Sequence, residues 1–171
     1  IWNYFTSCLN ETSDTFKKNA NVFGKVYFPR IIIPLTPILS KLFDFLIAFV
    51  ILFIMLLAYG IMPTFQIVFL PILILLMVMT ALGMSLWLSA LAIQYRDVSQ
   101  FMQFFAQLLM YAAPVIWPIS IVPERFLTYY GFYPMAGVIE GFRAALLNTG
   151  PMPWEMIAQG SVTALLLFVT G

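Results

Sequence analysis

Histidine is absent from this 171-residue chain, and cysteine occurs only once, as Cys8. Without histidine, the chain lacks the base of a Ser-His-Asp triad and a common ligand of zinc and haem sites. A single cysteine cannot form an intramolecular disulfide bond. The sequence also lacks the G-x-x-x-x-G-K-[ST] loop that binds ATP phosphates. These absences predict no catalytic residue, no metal site and no cofactor in this chain.

Charged residues are scarce as well, at 9% of the chain, whereas hydrophobic residues make up 63%. A typical soluble domain is about 25% charged and about 45–50% apolar. The eight Lys and Arg residues are scattered and the net charge is only +1, which argues against nucleic-acid binding. We therefore predict a membrane protein in contact with lipid. Because the chain starts at Ile1 and ends within an apolar run, we expect it to be part of a longer protein.

The long uncharged stretches predict an all-α, polytopic transmembrane domain. No charged residue occurs from 45 to 93, which is enough for two spans of about 20 residues. Gly60 and Pro63 supply a turn between them, and three closely spaced prolines end the next uncharged stretch. The predicted spans are 36–60, 66–94 and 99–117, followed by the start of a last span at 154–171.

The positions of the basic residues predict the orientation, because cytoplasmic loops are enriched in Lys and Arg. Six of the eight lie before or at the start of the first full span, or between the second and third: Lys17, Lys18, Lys25, Arg30, Lys41 and Arg96. The polar segment 10–33 and the turn at Arg96 and Asp97 are therefore expected inside, and 118–150 outside. Arg96 and Asp97 either only anchor the membrane boundary, or Arg96 bonds the last carbonyls of the preceding helix.

The outside segment 118–150 is too long for a tight turn and too apolar for a free loop. Within it, 134–147 is predicted to be a helix, because it starts with proline and is followed by Asn and Gly. Its 14 residues would rise only about 21 Å, too little to cross a bilayer. Glu140 and Arg143 can pair at i,i+3. We predict a re-entrant or interface-lying helix, preceded by a second short element at 123–132.

The predicted span 99–117 carries a polar stripe. Its members follow one another at steps of three, four and four and so share one helical face: Gln100, Gln103, Gln107 and Tyr111. Polar side chains in a bilayer face a partner helix or water. The stripe is therefore either a set of interhelical hydrogen bonds or the lining of a translocation path.

Small residues form a second face, on the span 66–94. They recur at helical spacing and would let another helix approach closely: Ala81, Ser85, Ser89 and Ala92. We expect Gly83 to belong to the same contact.

Several motifs, in their order along 16–154, resemble one family: the membrane subunit of ABC-2 type exporters of polysaccharides and polyol phosphates. The most specific are K-x-Y-F-P-R at 25–30 and Y-R-D-V at 95–98. The other matching stretches are 19–24, Pro34, 82–83, 88–91, 113–118 and 139–143. The family usually has Asn before the proline of the last short helix, where this chain has Tyr133.

The resemblance implies a permease that moves a glycan, such as O-antigen, capsule polysaccharide or teichoic acid, out through the plasma (inner) membrane of a prokaryote. It implies a homodimer and a separate ATP-binding subunit that holds ATP and Mg²⁺. The segment 118–150 would contain the external gate helices, with Glu140 and Arg143. The segment 10–33 would dock on the ATP-binding subunit through Lys17, Lys18, Asn19, Asn21 and Lys25.

Three other functions are weighed against this one. An ABC-2 permease for a drug or a lipid would share these motifs. A membrane-embedded transferase would need catalytic histidine or paired acids, which the chain does not show. A passive channel would not need the polar inside segment.

Overall fold

The computed structural model describes residues 1–19, 32–61, 65–95, 97–117 and 119–171. These residues form seven α-helices and two short 3-10 helices, and no β-strand occurs among them. The α-helices are α1 (Trp2–Asn19), α2 (Ile32–Ala58), α3 (Leu70–Gln94), α4 (Val98–Ala112), α5 (Glu124–Gly131), α6 (Pro134–Leu147) and α7 (Trp154–Thr170). The 3-10 helices are Phe65–Phe69 and Ile119–Ile121. The prediction of an all-α fold is confirmed.

Among the described residues, two helical stretches are long and apolar enough to cross a membrane, Leu35–Ala58 and Phe65–Leu91. α2 begins four residues before the predicted start, at Ile32, and has Pro37 within its second turn. α3 has a proline in its first turn, where a missing N–H costs little, and the preceding 3-10 helix extends it toward its N-terminus. α2 leaves its apolar side chains largely exposed, as expected for a surface that contacts lipid or another chain.

Two helices differ in length from the predicted segments. α1 runs without interruption to Asn19, so the predicted inside segment 10–33 begins within a helix, and its part at 20–31 lies outside the described residues. α4 has 15 residues and ends at Ala112, five residues before the predicted end of the span. It rises only about 22 Å, less than the roughly 30 Å of a hydrocarbon core.

α3 is the central helix and packs most extensively against α7 and α1. Its small residues Ala81, Ser85 and Ser89 are buried, as predicted, whereas the side chain of Ala92 lies outside the described part. Gly83 makes a different contact: a Cβ there would be 2.8 Å from the backbone carbon of Leu167 in α7. Two residues along a helix are about 200° apart, so Gly83 lies on another face and the prediction of a shared contact is wrong.

The short helix α6 is the most enclosed element of the described chain. Twelve of its 14 residues are buried. It packs against α7 and α3, and Phe142 lies edge-on to Phe45 and Phe49 of α2 with ring centroids 6.2 Å apart in both pairs. A helix lying at the membrane surface would leave one face open, so this burial favours the re-entrant alternative.

Candidate functional site

α5 and α6 form a hairpin whose turn lies partway down α7. A Cβ on Gly160 of α7 would be 3.0 Å from the Cα of Pro134, the first residue of α6. Gly160 is about 9 Å along the helix axis from Trp154, where α7 begins. Farther along α6, a Cβ on Gly137 would be 3.0 Å from the carbonyl oxygen of Met156. α6 therefore runs back toward the start of α7, so the hairpin enters and leaves on the same side.

Glycines make this close packing possible. A Cβ on Gly141 would be 2.9 Å from both Cδ atoms of Leu73 in α3, so α6 is held tightly against α3 as well as α7. Gly137 and Gly141 are one helical turn apart and form a G-x-x-x-G spacing. This spacing lets helix backbones approach closely. It is the sequence signal that could have identified how α6 packs.

The predicted pair of Glu140 and Arg143 forms within α6. Nη1 of Arg143 donates to Oε1 of Glu140 at 2.6 Å, and Nη2 donates to the carbonyl oxygen of Pro114 at 3.1 Å. The Glu140 side chain is 11% exposed and the Arg143 side chain 24%. Taking both charges out of water is costly unless further hydrogen bonds are made, and Pro114 accepts one of them. The pair therefore holds α6 beside the end of α4.

The C-terminal end of α4 offers carbonyl oxygens that accept hydrogen bonds from side chains. Pro114 has no N–H and ends the helix, and Ala113 before it adopts an extended conformation. The last carbonyls of a helix lack backbone partners. Here side chains act as the partners. The indole Nε1 of Trp117 donates to the carbonyl oxygen of Tyr111 at 3.2 Å, and the hydroxyl of Tyr130 donates to the carbonyl oxygen of Ala112 at 2.9 Å. Because Tyr130 belongs to α5, the hairpin is joined to α4 at two places.

The polar stripe lies on the open face of α4. Its four members are all exposed and share one face, as predicted: Gln100, Gln103, Gln107 and Tyr111. Met102 and Ala106 are buried on the opposite side. Exposed apolar side chains stand between the amides: Phe101, Phe104 and Leu108. The stripe therefore points away from the other described helices, toward whatever occupies the space beside α4.

The predicted cytoplasmic turn is described only in part. Arg96 lies outside the described residues. Asp97 is exposed and occupies the N-cap position of α4, but its side chain accepts no hydrogen bond from the backbone N–H groups of that helix. A carboxylate near the first turn is favoured by the helix dipole, which agrees with a role at the helix boundary.

The residues expected to dock on a partner lie at the end of α1 or beyond it. The backbone of Lys17, Lys18 and Asn19 forms the last turn of α1, while Asn21 and Lys25 lie outside the described residues.

An ion cluster joins α1 to α2 beside this region. Nζ of Lys41 is 2.8 Å from Glu11 and 3.3 Å from Asp44. The i,i+3 spacing of Lys41 and Asp44 is visible in the sequence, but the link to Glu11 depends on the fold.

Comparison with known proteins identifies the family of this chain. The profile of the family described as ABC-2 type transporter matches residues 1–147. An O-antigen export system permease protein RfbA of Klebsiella pneumoniae is 28% identical over 171 residues, covering 99% of this chain and 66% of the relative. A protein of the same name from Myxococcus xanthus is 21% identical over 170 residues, covering 98% and 65%.

The chain thus spans about two thirds of the length of these relatives. The family match itself covers most of the chain and includes the first six helices up to the end of α6. The chain is a membrane protein and belongs to the ABC-2 type transporter family.

Proposed function

We propose that this chain is part of the permease subunit of an ATP-driven exporter that moves a polysaccharide or a lipid-linked glycan out of a prokaryotic cell. The observation that carries the proposal is the family match over 1–147, together with relatives named O-antigen export permeases that align along nearly the whole chain. Capsule polysaccharide and teichoic acid are glycans of the same chemical kind and remain within the proposal. The subunit performs no covalent chemistry and binds no cofactor.

The proposed subunit crosses the inner membrane several times and works as a homodimer. The exposed stripe on α4 supports a path between two copies, because its amides and rings point away from the described helices. A moving glycan exchanges hydrogen bonds with such amides without being held by a fixed charge. A separate ATP-binding subunit docks on the inside segment 10–33, and its closure on ATP and Mg²⁺ moves the helices.

The α5–α6 hairpin forms the external gate in this proposal. Its re-entrant course supports the assignment, since a hairpin that enters and leaves on one side can cover the outer end of a path. Glu140 and Arg143 serve the gate by fixing α6 beside α4. Both side chains are hydrogen-bonded within the protein, which supports a holding role rather than direct contact with substrate.

An export assay tests the function. The full-length protein is produced with its ATP-binding subunit in a bacterium whose own glycan exporter has been deleted. Surface glycan is then measured on intact cells with an impermeant antibody. Export should require both subunits and should stop when the ATP-binding lysine of the partner is replaced. Glycan that stays inside, although both subunits assemble and hydrolyse ATP, would contradict the proposal.

Thiol labelling tests the proposed orientation. Cysteines introduced at Asn21 and Thr128 should react from opposite sides of the membrane, as the positions of the basic residues predict. Reaction of both sites with an impermeant reagent outside intact cells would refute this topology.

A further inference from the structure

We propose that Trp117, Tyr130 and Arg143 form an outer latch that positions the α5–α6 hairpin on the end of α4, and that the outer gate opens at this seam. The inference rests on the proposed function and adds which contact breaks when the gate opens. Each of the three side chains donates to a carbonyl oxygen at the end of α4 or just after it, at 2.9–3.2 Å. The rings of Trp117 and Tyr130 also meet edge-on, with centroids 5.6 Å apart, which links two members of the latch directly.

The hairpin has two contact surfaces, here called seams, of different chemistry: one faces α7 and α3, and the other faces the end of α4. On one side, α6 packs through glycines against the backbone of α7 and against the side chain of Leu73 in α3. Water cannot replace such a contact without leaving apolar surface and a gap. On the other side, the hairpin meets the end of α4 through side-chain hydrogen bonds, and the bond from Tyr130 is exposed. Water can take over these donors and acceptors at small net cost.

The polar seam is therefore the one that opens. When the α4 end and the hairpin separate, water satisfies the freed carbonyls, while α6 stays packed on α7. The carbonyl dipoles at the end of α4 attract the positive charge of Arg143, which favours return to the closed arrangement. Trp117 and Tyr130 are positioning residues in this scheme, since they act by placing the hairpin.

Tyr130→Phe tests the latch with the smallest possible change, because it removes one hydroxyl and keeps the ring. Tyr129→Phe is the matched control: the neighbouring ring on the same helix is 74% exposed, and its hydroxyl makes no hydrogen bond to the described residues at the end of α4. Backbone amide hydrogen exchange is measured on the full-length transporter with its ATP-binding subunit in lipid nanodiscs. The native thiol of Cys8, which is fully buried, reports any general loosening of the core through its labelling rate.

Tyr130→Phe should speed amide exchange in 124–133 about fivefold, the factor that corresponds to one net hydrogen bond. Exchange in 154–160 and labelling of Cys8 should stay at wild-type rates, and Tyr129→Phe should change nothing. Unchanged exchange in 124–133 would overturn the proposal, and so would an equal rise in 154–160 or in Cys8 labelling. These measurements do not depend on export, so a wild-type protein that exports no glycan refutes the proposed function separately.

Discussion

Replacing Gly83 with alanine tests the close contact between α3 and α7. A Cβ at this position would lie 2.8 Å from the backbone carbon of Leu167 and 2.8 Å from the backbone nitrogen of Phe168. Carbon atoms in contact are normally about 3.5–4.0 Å apart, so the helices would have to separate by roughly 0.7 Å or more. Because the atoms belong to a helix backbone, no side-chain rotation can relieve the overlap.

The expected cost follows from two opposing effects. Overpacking a tight core contact costs about 1–3 kcal/mol, and a backbone overlap belongs at the upper end of that range. Alanine is favoured over glycine inside a helix by about 1 kcal/mol. Gly83→Ala should therefore lower the free energy of unfolding by about 1–2 kcal/mol. For a protein of this size, the melting temperature should fall by about 2–8 °C.

Thermal unfolding of the full-length protein in detergent measures the effect. Gly150→Ala provides the matched control, because a Cβ at Gly150 would have no neighbour within 4 Å in the described part of the chain and its φ is not in the left-handed region. The control should melt at the wild-type temperature or slightly above it. If Gly83→Ala melts as high as the control, the close approach of α3 and α7 is refuted.

Three further predictions concern other parts of the molecule. Joint replacement of Gln103 and Gln107 with leucine should reduce export but leave the melting temperature unchanged, because both amides point away from the described helices; lost stability would instead indicate interhelical hydrogen bonds. Tyr133→Phe should raise stability by up to about 1 kcal/mol, because it removes a buried hydroxyl that has no hydrogen-bond partner among the described residues; a clear fall in thermal unfolding temperature would show that the hydroxyl is bonded in the assembled protein. Charge reversal of Lys17 and Lys18 should abolish export while the subunit still reaches the membrane; normal export together with normal co-purification of the ATP-binding subunit would contradict the docking assignment.

Local signals explain which parts of the fold could be predicted from the sequence. The bounds of α6 were predictable because a proline begins it and Asn148 ends it in a left-handed conformation, with φ of 51°. The polar stripe was predictable because helical periodicity alone places residues three and four apart on one face. The pair of Glu140 and Arg143 needed only the i,i+3 spacing of one helix.

The contacts that position the candidate gate could not be predicted in the same way. Tyr130 bonds a carbonyl 18 residues away, and Arg143 bonds one 29 residues away. Neither sequence separation predicts a hydrogen bond, because each bond depends on how two helices lie relative to one another. The interpretation of Gly83 failed for a related reason: closeness in sequence to Ser85 does not place two residues on one face.

The short length of α4 matches the distance of the hairpin turn from the start of α7. α4 rises about 22 Å, which leaves about 8 Å of a roughly 30 Å hydrocarbon core uncrossed. The turn of the hairpin lies beside Gly160, about 9 Å below the start of α7. If α7 begins at the outer boundary, as its exposed Trp154 suggests, the hairpin occupies the outer layer that α4 does not reach. Carbonyls without a helical partner at that depth need partners within the protein, and those of Tyr111, Ala112 and Pro114 accept hydrogen bonds from side chains. The early end of the helix and the hairpin thus form one arrangement, in which side chains of the hairpin satisfy backbone carbonyls at the end of α4.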